Sequence, residues 1–344
     1  MKRVLYFLVL VVAQNVFPQG VTPQDWGLEA YHIKDAELGT INFYVTSKGM
    51  EQRKPLAFLM YGCRGLPVML VVDDGEKSVQ LGTIPPDQIH TFADQYHVAF
   101  ISKAGTPFCD TMKVEQINPW QNFEDYQPSQ EYIEKCGMEW DNKACSVVLD
   151  TLVQMLQLTD KIVAVGGSEG GLLATRFAAH DQRVTHLVSI VSTGLNQFYS
   201  SIINRRMDAA KGEMTHQEAQ AAVDSLFAVY KKVYSDPNST EKWYYGHPYK
   251  RWGSFCNYIP LTDLVKLDIP ILFVNGTRDR SSPVLHADYI QLEFIRLGKD
   301  NLTCFVLPGV EHSLYEIVVE NGEEKHVSRR DEVFTKVKDW IAEN

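Results

Sequence analysis

The sequence predicts an α/β fold, and two observations carry that class. A short apolar, β-branched run, Ile162–Val165, passes through a glycine cluster into Leu172–Ala179, where Leu172, Leu173, Phe177 and Ala178 fall at helical spacing. Later in the chain, Ile269–Val274 and Leu302–Leu307 read as two further apolar strands, each ended by a glycine-containing turn. With 344 residues, 45% of them apolar and 22% charged, there is material for one large domain with an insertion or for two ordinary domains. The formal charge of -10 argues against nucleic acid or an anionic membrane surface as the main partner. No internal repeat and no long low-complexity segment interrupts the chain.

The glycine cluster, GGSEGG at 166–171, occupies a strand-to-helix turn, where three chemistries are at home. A dinucleotide site wants G-x-G-x-x-G, but Ser168 stands two residues after Gly166 and Glu169 two after Gly167. A nucleotide phosphate loop wants lysine and a hydroxyl after its last glycine, and here Leu172 and Leu173 follow Gly171. The third pattern, G-x-S-x-G, fits as Gly166–Gly170. It holds a serine on a sharp elbow whose neighbours must lack Cβ to clear the adjoining strand and helix. Ser168 is therefore the candidate nucleophile.

A serine hydroxyl needs a base to take its proton and an acid to orient the base, here in the chain order Ser, acid, His. Asp279 lies on the loop after the strand Ile269–Val274, and His312 lies three residues past Gly309 after the strand Leu302–Leu307. Both follow strand ends, where the sites of parallel sheets form. His247 and His286 precede the last strand, His97 precedes the elbow and His326 lies in a charged stretch; Glu311 is the weaker alternative to Asp279. The expected oxyanion donors are the backbone N–H of Glu169 and, from the loop Tyr61–Gly65, that of Cys63 to within one residue. No Cys and His cluster has zinc spacing, and the reading calls for neither metal nor cofactor.

Met1-Lys2-Arg3 followed by the apolar run Val4–Val12 reads as a secretory signal peptide within residues 1–20, cut near Ala13, and too short to span a bilayer. A secreted or periplasmic location makes disulfides possible, with Cys136–Cys145 and Cys63–Cys109 as candidate pairs and Cys304 as a buried hydrophobe.

GGSEGG, the following VTHLVSIVSTGLNQ, VNGTRDRSSPV and the final GVEHS resemble the α/β-hydrolase superfamily of serine hydrolases. The chain is most similar to the branch of prolyl-oligopeptidase-like and dienelactone-hydrolase-like enzymes, which includes exported bacterial hydrolases. It departs from them in three ways. Dienelactone hydrolases use a cysteine nucleophile where Ser168 stands; prolyl oligopeptidases carry a propeller for which 344 residues leave no room; and the oxyanion loop is YGCRG rather than HGGG.

The resemblance implies one α/β-hydrolase domain over residues 21–344, with a mostly parallel sheet of about eight strands and helices on both faces. Leu28–Lys34 and Thr40–Thr46 begin the sheet, Leu56–Met60 and Val98–Ser102 continue it, and Val184–Val191 follows the elbow helix. A helix follows Pro283 from about Val284. Residues 195–268 exceed a simple crossover and read as a helical lid insertion containing an amphipathic helix in Met214–Tyr234. Its aromatics Trp243, Tyr244, Tyr245, Tyr249, Trp252 and Phe255 either pack the insertion or contact substrate.

The function expected is cleavage of a small-molecule ester through an acyl-enzyme. A small peptidase acting on short peptides is the alternative, with Glu124, Asp125 or Glu131 as a receptor for a peptide amino terminus. A silent binding protein of the same fold is the third reading.

Overall fold

A computed structural model describes residues 21–344, except residues 63, 85, 321 and 322. The signal-peptide reading and the Cys63 donor lie outside the described residues. Eight strands, β1 (Leu28–Asp35), β2 (Gly39–Thr46), β3 (Lys54–Tyr61), β4 (His97–Ile101), β5 (Leu158–Gly167), β6 (His186–Ile190), β7 (Ile271–Gly276) and β8 (Leu302–Leu307), are hydrogen-bonded in the order β1-β2-β4-β3-β5-β6-β7-β8. Strand β2 is antiparallel to β1 and β4, whereas β5 through β8 pair in parallel. The α/β class and the mostly parallel sheet are as the sequence predicts. The strand before the elbow is longer than its apolar run because Leu158–Lys161 extends it with partly exposed residues.

The chain divides into two compact units. One takes in the chain up to Lys54 with Arg64–Cys136 and Trp140–Leu158; the other takes in Pro55–Cys63, Gly137–Glu139 and Thr159–Asn344. In the first, Tyr44 packs against Phe100 and Phe108, and Phe108 meets Trp26 edge-on. A small sheet of Ser78–Gly82, Met69–Asp73 and Cys109–Lys113 joins this unit, an element the sequence reading does not contain. Lys103 donates to Asp141 at 2.8 Å with both side chains 5% exposed, so each buried charge is matched. The candidate Cys136–Cys145 disulfide is not formed: Cys136 caps the helix Gln130–Lys135, and Cys145 is fully buried in helix α1 (Met138–Met155). Cys109 is also a free thiol.

The second unit holds α2 (Glu169–His180), α3 (Gln197–Ala210), α4 (His216–Ser235), α5 (Tyr249–Asn257), α6 (Leu285–Leu297) and α7 (Arg330–Glu343). Helix α2 docks on the strands through bare backbone. A Cβ on Gly166 would stand 2.1 Å from Gly170 O, and one on Gly170 would stand 2.1 Å from Met60 O. Gly167 differs, since a Cβ there meets nothing within 4 Å. Both glycines of G-x-S-x-G are thus steric requirements, whereas Gly167, at the variable position beside the serine, is not.

Between β6 and β7, helices α3, α4 and α5 enclose a cluster of Phe198, Tyr230, Val233, Tyr249, Trp252 and Cys256. Phe198 stacks on Tyr230 at 3.8 Å and on Trp252 at 5.1 Å between ring centres. Tyr249, Trp252 and Phe255 are therefore packing residues, while Trp243 and Tyr245 are exposed. Helix α4 starts at a capping box, with Thr215 and Glu218 each satisfying the other's backbone N–H. An apolar groove of about 790 Å³ opens beside the cluster, lined by Tyr199, Ile202, Phe227 and Tyr234 with Lys231 at its edge.

Helix α6 carries His286, which is fully buried against α3, with Nε2 3.1 Å from Ser200 Oγ. Its Nδ1 has no hydrogen-bond partner among the described residues. Burial pulls the imidazole down to about 4, and nearby Asp279 only partly opposes this.

Two stability predictions follow from these contacts. Ala at Gly170 drives Cβ into the backbone of β3, so Gly170→Ala should cost about 3 kcal/mol in urea unfolding, against less than about 0.5 kcal/mol for Gly167→Ala. Equal midpoints would contradict the elbow packing. The second concerns pH. Because the folded state holds His286 neutral, the unfolded chain binds its proton first as pH falls below about 6.5. The stability contributed by neutral His286 is complete above that value and is lost on the order of 3 kcal/mol by pH 4. Unfolding midpoints of His286→Gln should be lower at pH 7 and fall less steeply than wild type between pH 6.5 and 4; parallel slopes would contradict the assignment.

Candidate active site

Ser168 lies between the end of β5 and the start of α2 with φ 54° and ψ -123°. A side chain at positive φ costs about 1–2 kcal/mol, so the surroundings must impose it. Two backbone bonds do so: Ser168 N–H donates to Ile190 O at 2.9 Å, and Gly171 N–H donates to Ser168 O at 3.0 Å. The hydroxyl is left projecting from a turn whose two sides are fixed by β6 and by the first turn of α2.

His312 Nε2 stands 2.9 Å from Ser168 Oγ, and His312 Nδ1 stands 2.9 Å from Asp279 Oδ2. The Asp279 side chain is completely buried, whereas that of His312 is 28% exposed. Asp279 Oδ1 accepts from the backbone N–H groups of Ser281 and Ser282, both at 2.8 Å, so both its oxygens are engaged. With Nδ1–H donating to Asp279, Nε2 presents its lone pair to the serine hydroxyl. The three residues singled out by chain order and post-strand position thus form one continuous hydrogen-bonded chain.

The loops bearing Asp279 and His312 are sewn together. Thr277 N–H donates to Leu307 O at 3.0 Å, Arg278 N–H donates to Val310 O at 2.9 Å, and Gly309 N–H donates to Thr277 Oγ1 at 2.9 Å. Glu311 accepts from the backbone of Ser313 and Tyr315, which makes it a staple of the His312 loop. The other histidines have their own packing roles. His97 Nε2 lies 2.9 Å from Gln52 O, His247 meets Trp252 edge-on, and His326 faces Tyr315 across the hairpin Tyr315–Glu320/Glu323–Ser328.

Glu169 opens α2, so its N–H belongs to the first turn, where helix amides are free to bind an anion. Its side chain is 6% exposed and is held by Arg251 of α5, itself 3% exposed. Arg251 Nε and a terminal nitrogen both donate to Glu169 Oε2, the former at 2.9 Å. The sequence reading missed Arg251. The one signal for it is that a carboxylate buried in an elbow needs a cation, and 82 residues of separation leave that cation unspecified. Also missed was Arg280, which forks onto Asp208 of α3 at 2.7 and 2.9 Å while its carbonyl accepts from Asn204. The Arg280 guanidinium holds the Asp208 carboxyl below the usual carboxylate range.

Among the described residues no group of His, Cys, Asp and Glu could hold a metal ion, and no helix is long and apolar enough to cross a membrane.

No family model and no curated protein matches the sequence. Solved structures do match its fold. Est1E from Butyrivibrio proteoclasticus superposes with a TM-score of 0.51 at 12% identity, over 91% of this chain and 98% of that one. The Pyrococcus horikoshii acylaminoacyl peptidase gives 0.52 at 10% identity over 83% of this chain, and Porphyromonas gingivalis dipeptidyl peptidase 4 gives 0.53 at 12% over 92%. This chain covers only 38% and 35% of those two peptidases. The sheet order, the strand–elbow–helix turn and these superpositions agree that the chain has the α/β-hydrolase fold.

Proposed function

We propose that the protein is an exported serine hydrolase that cleaves carboxylic esters through an acyl-enzyme. The observation that carries this reading is the hydrogen-bonded chain from Asp279 through His312 to Ser168 Oγ. His312 Nε2 takes the proton of Ser168 as Oγ attacks the substrate carbonyl, and Asp279 stabilises the imidazolium that results. The negative charge that develops on the carbonyl oxygen is received by the backbone N–H groups of Glu169 and Cys63. His312 then protonates the leaving alkoxide, and water, deprotonated by the same imidazole, releases the acid. The reaction as drawn requires no metal or organic cofactor. Export rests on the basic start and apolar run of residues 1–12, and the role of residues 195–268 as a lid rests on their position between β6 and β7.

Esters are preferred to peptides for a specific reason. A peptidase that trims from the amino terminus needs a free carboxylate for the substrate ammonium group. Glu124 is paired with Arg64 at 2.6 Å, Glu131 with Lys135 at 2.8 Å, and Asp125 accepts from Gln121 at 2.8 Å. Est1E, which has been solved with ferulic acid bound, is matched over 98% of its own length, whereas the two peptidases are matched over 38% and 35% of theirs.

Wild-type protein should be labelled by a fluorophosphonate and should hydrolyse p-nitrophenyl esters faster than aminoacyl amides. Ser168→Ala should abolish labelling and lower turnover by about 10⁶-fold, and Asp279→Asn should lower it by about 10⁴-fold. Labelling that survives in Ser168→Ala would move the nucleophile elsewhere. A wild type that is neither labelled nor active would favour the silent-fold reading, and faster amide than ester turnover would favour the peptidase.

A further inference from the structure

We infer that Arg251 and Glu169 are a positioning pair, through which the β6–β7 insertion sets the oxyanion donor of the active site. The inference rests on the serine-hydrolase reading above and goes beyond its triad.

Glu169 is pinned at two points. A Cβ on Gly62, at the end of β3, would stand 2.6 Å from Glu169 Cβ and 3.0 Å from its backbone nitrogen, so that nitrogen lies hard against the strand end. The Glu169 carboxylate is gripped by Arg251, whose remaining fork nitrogen donates to Gln197 Oε1 of α3 at 3.0 Å. The guanidinium lies over the rings of Trp252 and Phe255, at 4.3 and 4.8 Å from their centres. Its direction is therefore fixed by α3 and α5 together.

Such a pair is a poor device for stability. Desolvating two charges costs several kcal/mol, and an apolar pair of equal volume often serves a fold as well. What an ion pair adds is direction. The carboxylate it holds sits on the same residue as the N–H expected to meet the oxyanion. Four bonds separate the gripped oxygen from the Cα next to that N–H. Without Arg251 the carboxylate loses the fork that aims it, and Glu169 Cα is no longer held from that end. An oxyanion donor that loses its aim costs about 10²–10³-fold in turnover when removed outright, and a tilt costs a part of that.

The test uses the full chain and four variants: Arg251→Gln, Arg251→Lys, Glu169→Gln and the double Glu169→Gln/Arg251→Gln. Fluorophosphonate titration counts competent sites, so turnover is expressed per folded site. A peptidomimetic-free trifluoromethyl ketone serves as the tetrahedral mimic. Arg251→Gln should lower kcat by about 30-fold with KM within about threefold, and should weaken the ketone by the same factor as kcat. Arg251→Lys should restore part of kcat, because it returns the charge without the fork. The double variant should exceed Arg251→Gln in kcat, because the carboxylate charge that Arg251 balanced is removed with it.

Arg251→Gln that melts earlier yet keeps wild-type kcat per titrated site would overturn the inference, leaving the pair merely structural. A loss confined to KM, or a loss of kcat with no change in ketone affinity, would overturn it as well. These outcomes differ from failure of the underlying reading, which would appear as turnover unaffected by Ser168→Ala.

Discussion

A serine at φ 54° has no reason of its own to be there, and much of the second unit is arranged to keep it there. The carbonyl of Ile190, at the last residue of β6, takes its N–H, and the N–H of Gly171 in the first turn of α2 takes its carbonyl. Neither bond uses a side chain. Ser168 is therefore placed by the sheet and the helix, and the cost of about 1–2 kcal/mol is carried by the packing of α2 against β3. Phe177 of α2 meets Phe58 of β3 edge-on at 5.6 Å, with both rings fully buried, and the bare backbone of Gly170 lets the helix come that close.

Much of this was legible before any coordinates. Ile162–Val165, Ile269–Val274 and Leu302–Leu307 are apolar on both faces, as strands covered by helices must be, and their ends marked where polar loops could gather. Asp279 and His312 stood out because each follows such an end. Other parts gave no comparable signal. Ser78–Gly82 and Cys109–Lys113 alternate between exposed and half-buried residues and carry Asp110 and Lys113, so no apolar run announces them. Cys136 and Cys145 invited a crosslink by spacing, but each was already occupied in packing a helix. Arg251 was hidden among aromatic residues, because a buried ion pair leaves no periodic trace in sequence.

Helix α3 shows why patterning misleads at a site. Its positions 197, 200, 204 and 208 are polar and recur at helical spacing, which on an isolated helix would mark the wet face. Here Gln197 reaches Arg251, Ser200 reaches His286, Asn204 reaches the carbonyl of Arg280, and Asp208 takes its guanidinium. The polar stripe faces protein. Phe198 turns to the aromatic cluster, and Tyr199 is left largely exposed beside the groove. A helix that looks inverted by composition is one whose polar side has been recruited to hold two helices, α5 and α6, and the Arg280 loop.

The seam between the Asp279 and His312 loops has a mechanical meaning. Because Thr277, Arg278 and Gly309 tie the loops at three points, Asp279 and His312 share one hydrogen-bonded frame, and β7, which leads into it, pairs with β6, whose last residue holds the Ser168 N–H. That frame meets the elbow where His312 Nε2 stands 2.9 Å from Ser168 Oγ. A change that displaces one of these loops is therefore carried to the other, so Asp279 and His312 shift together relative to Ser168.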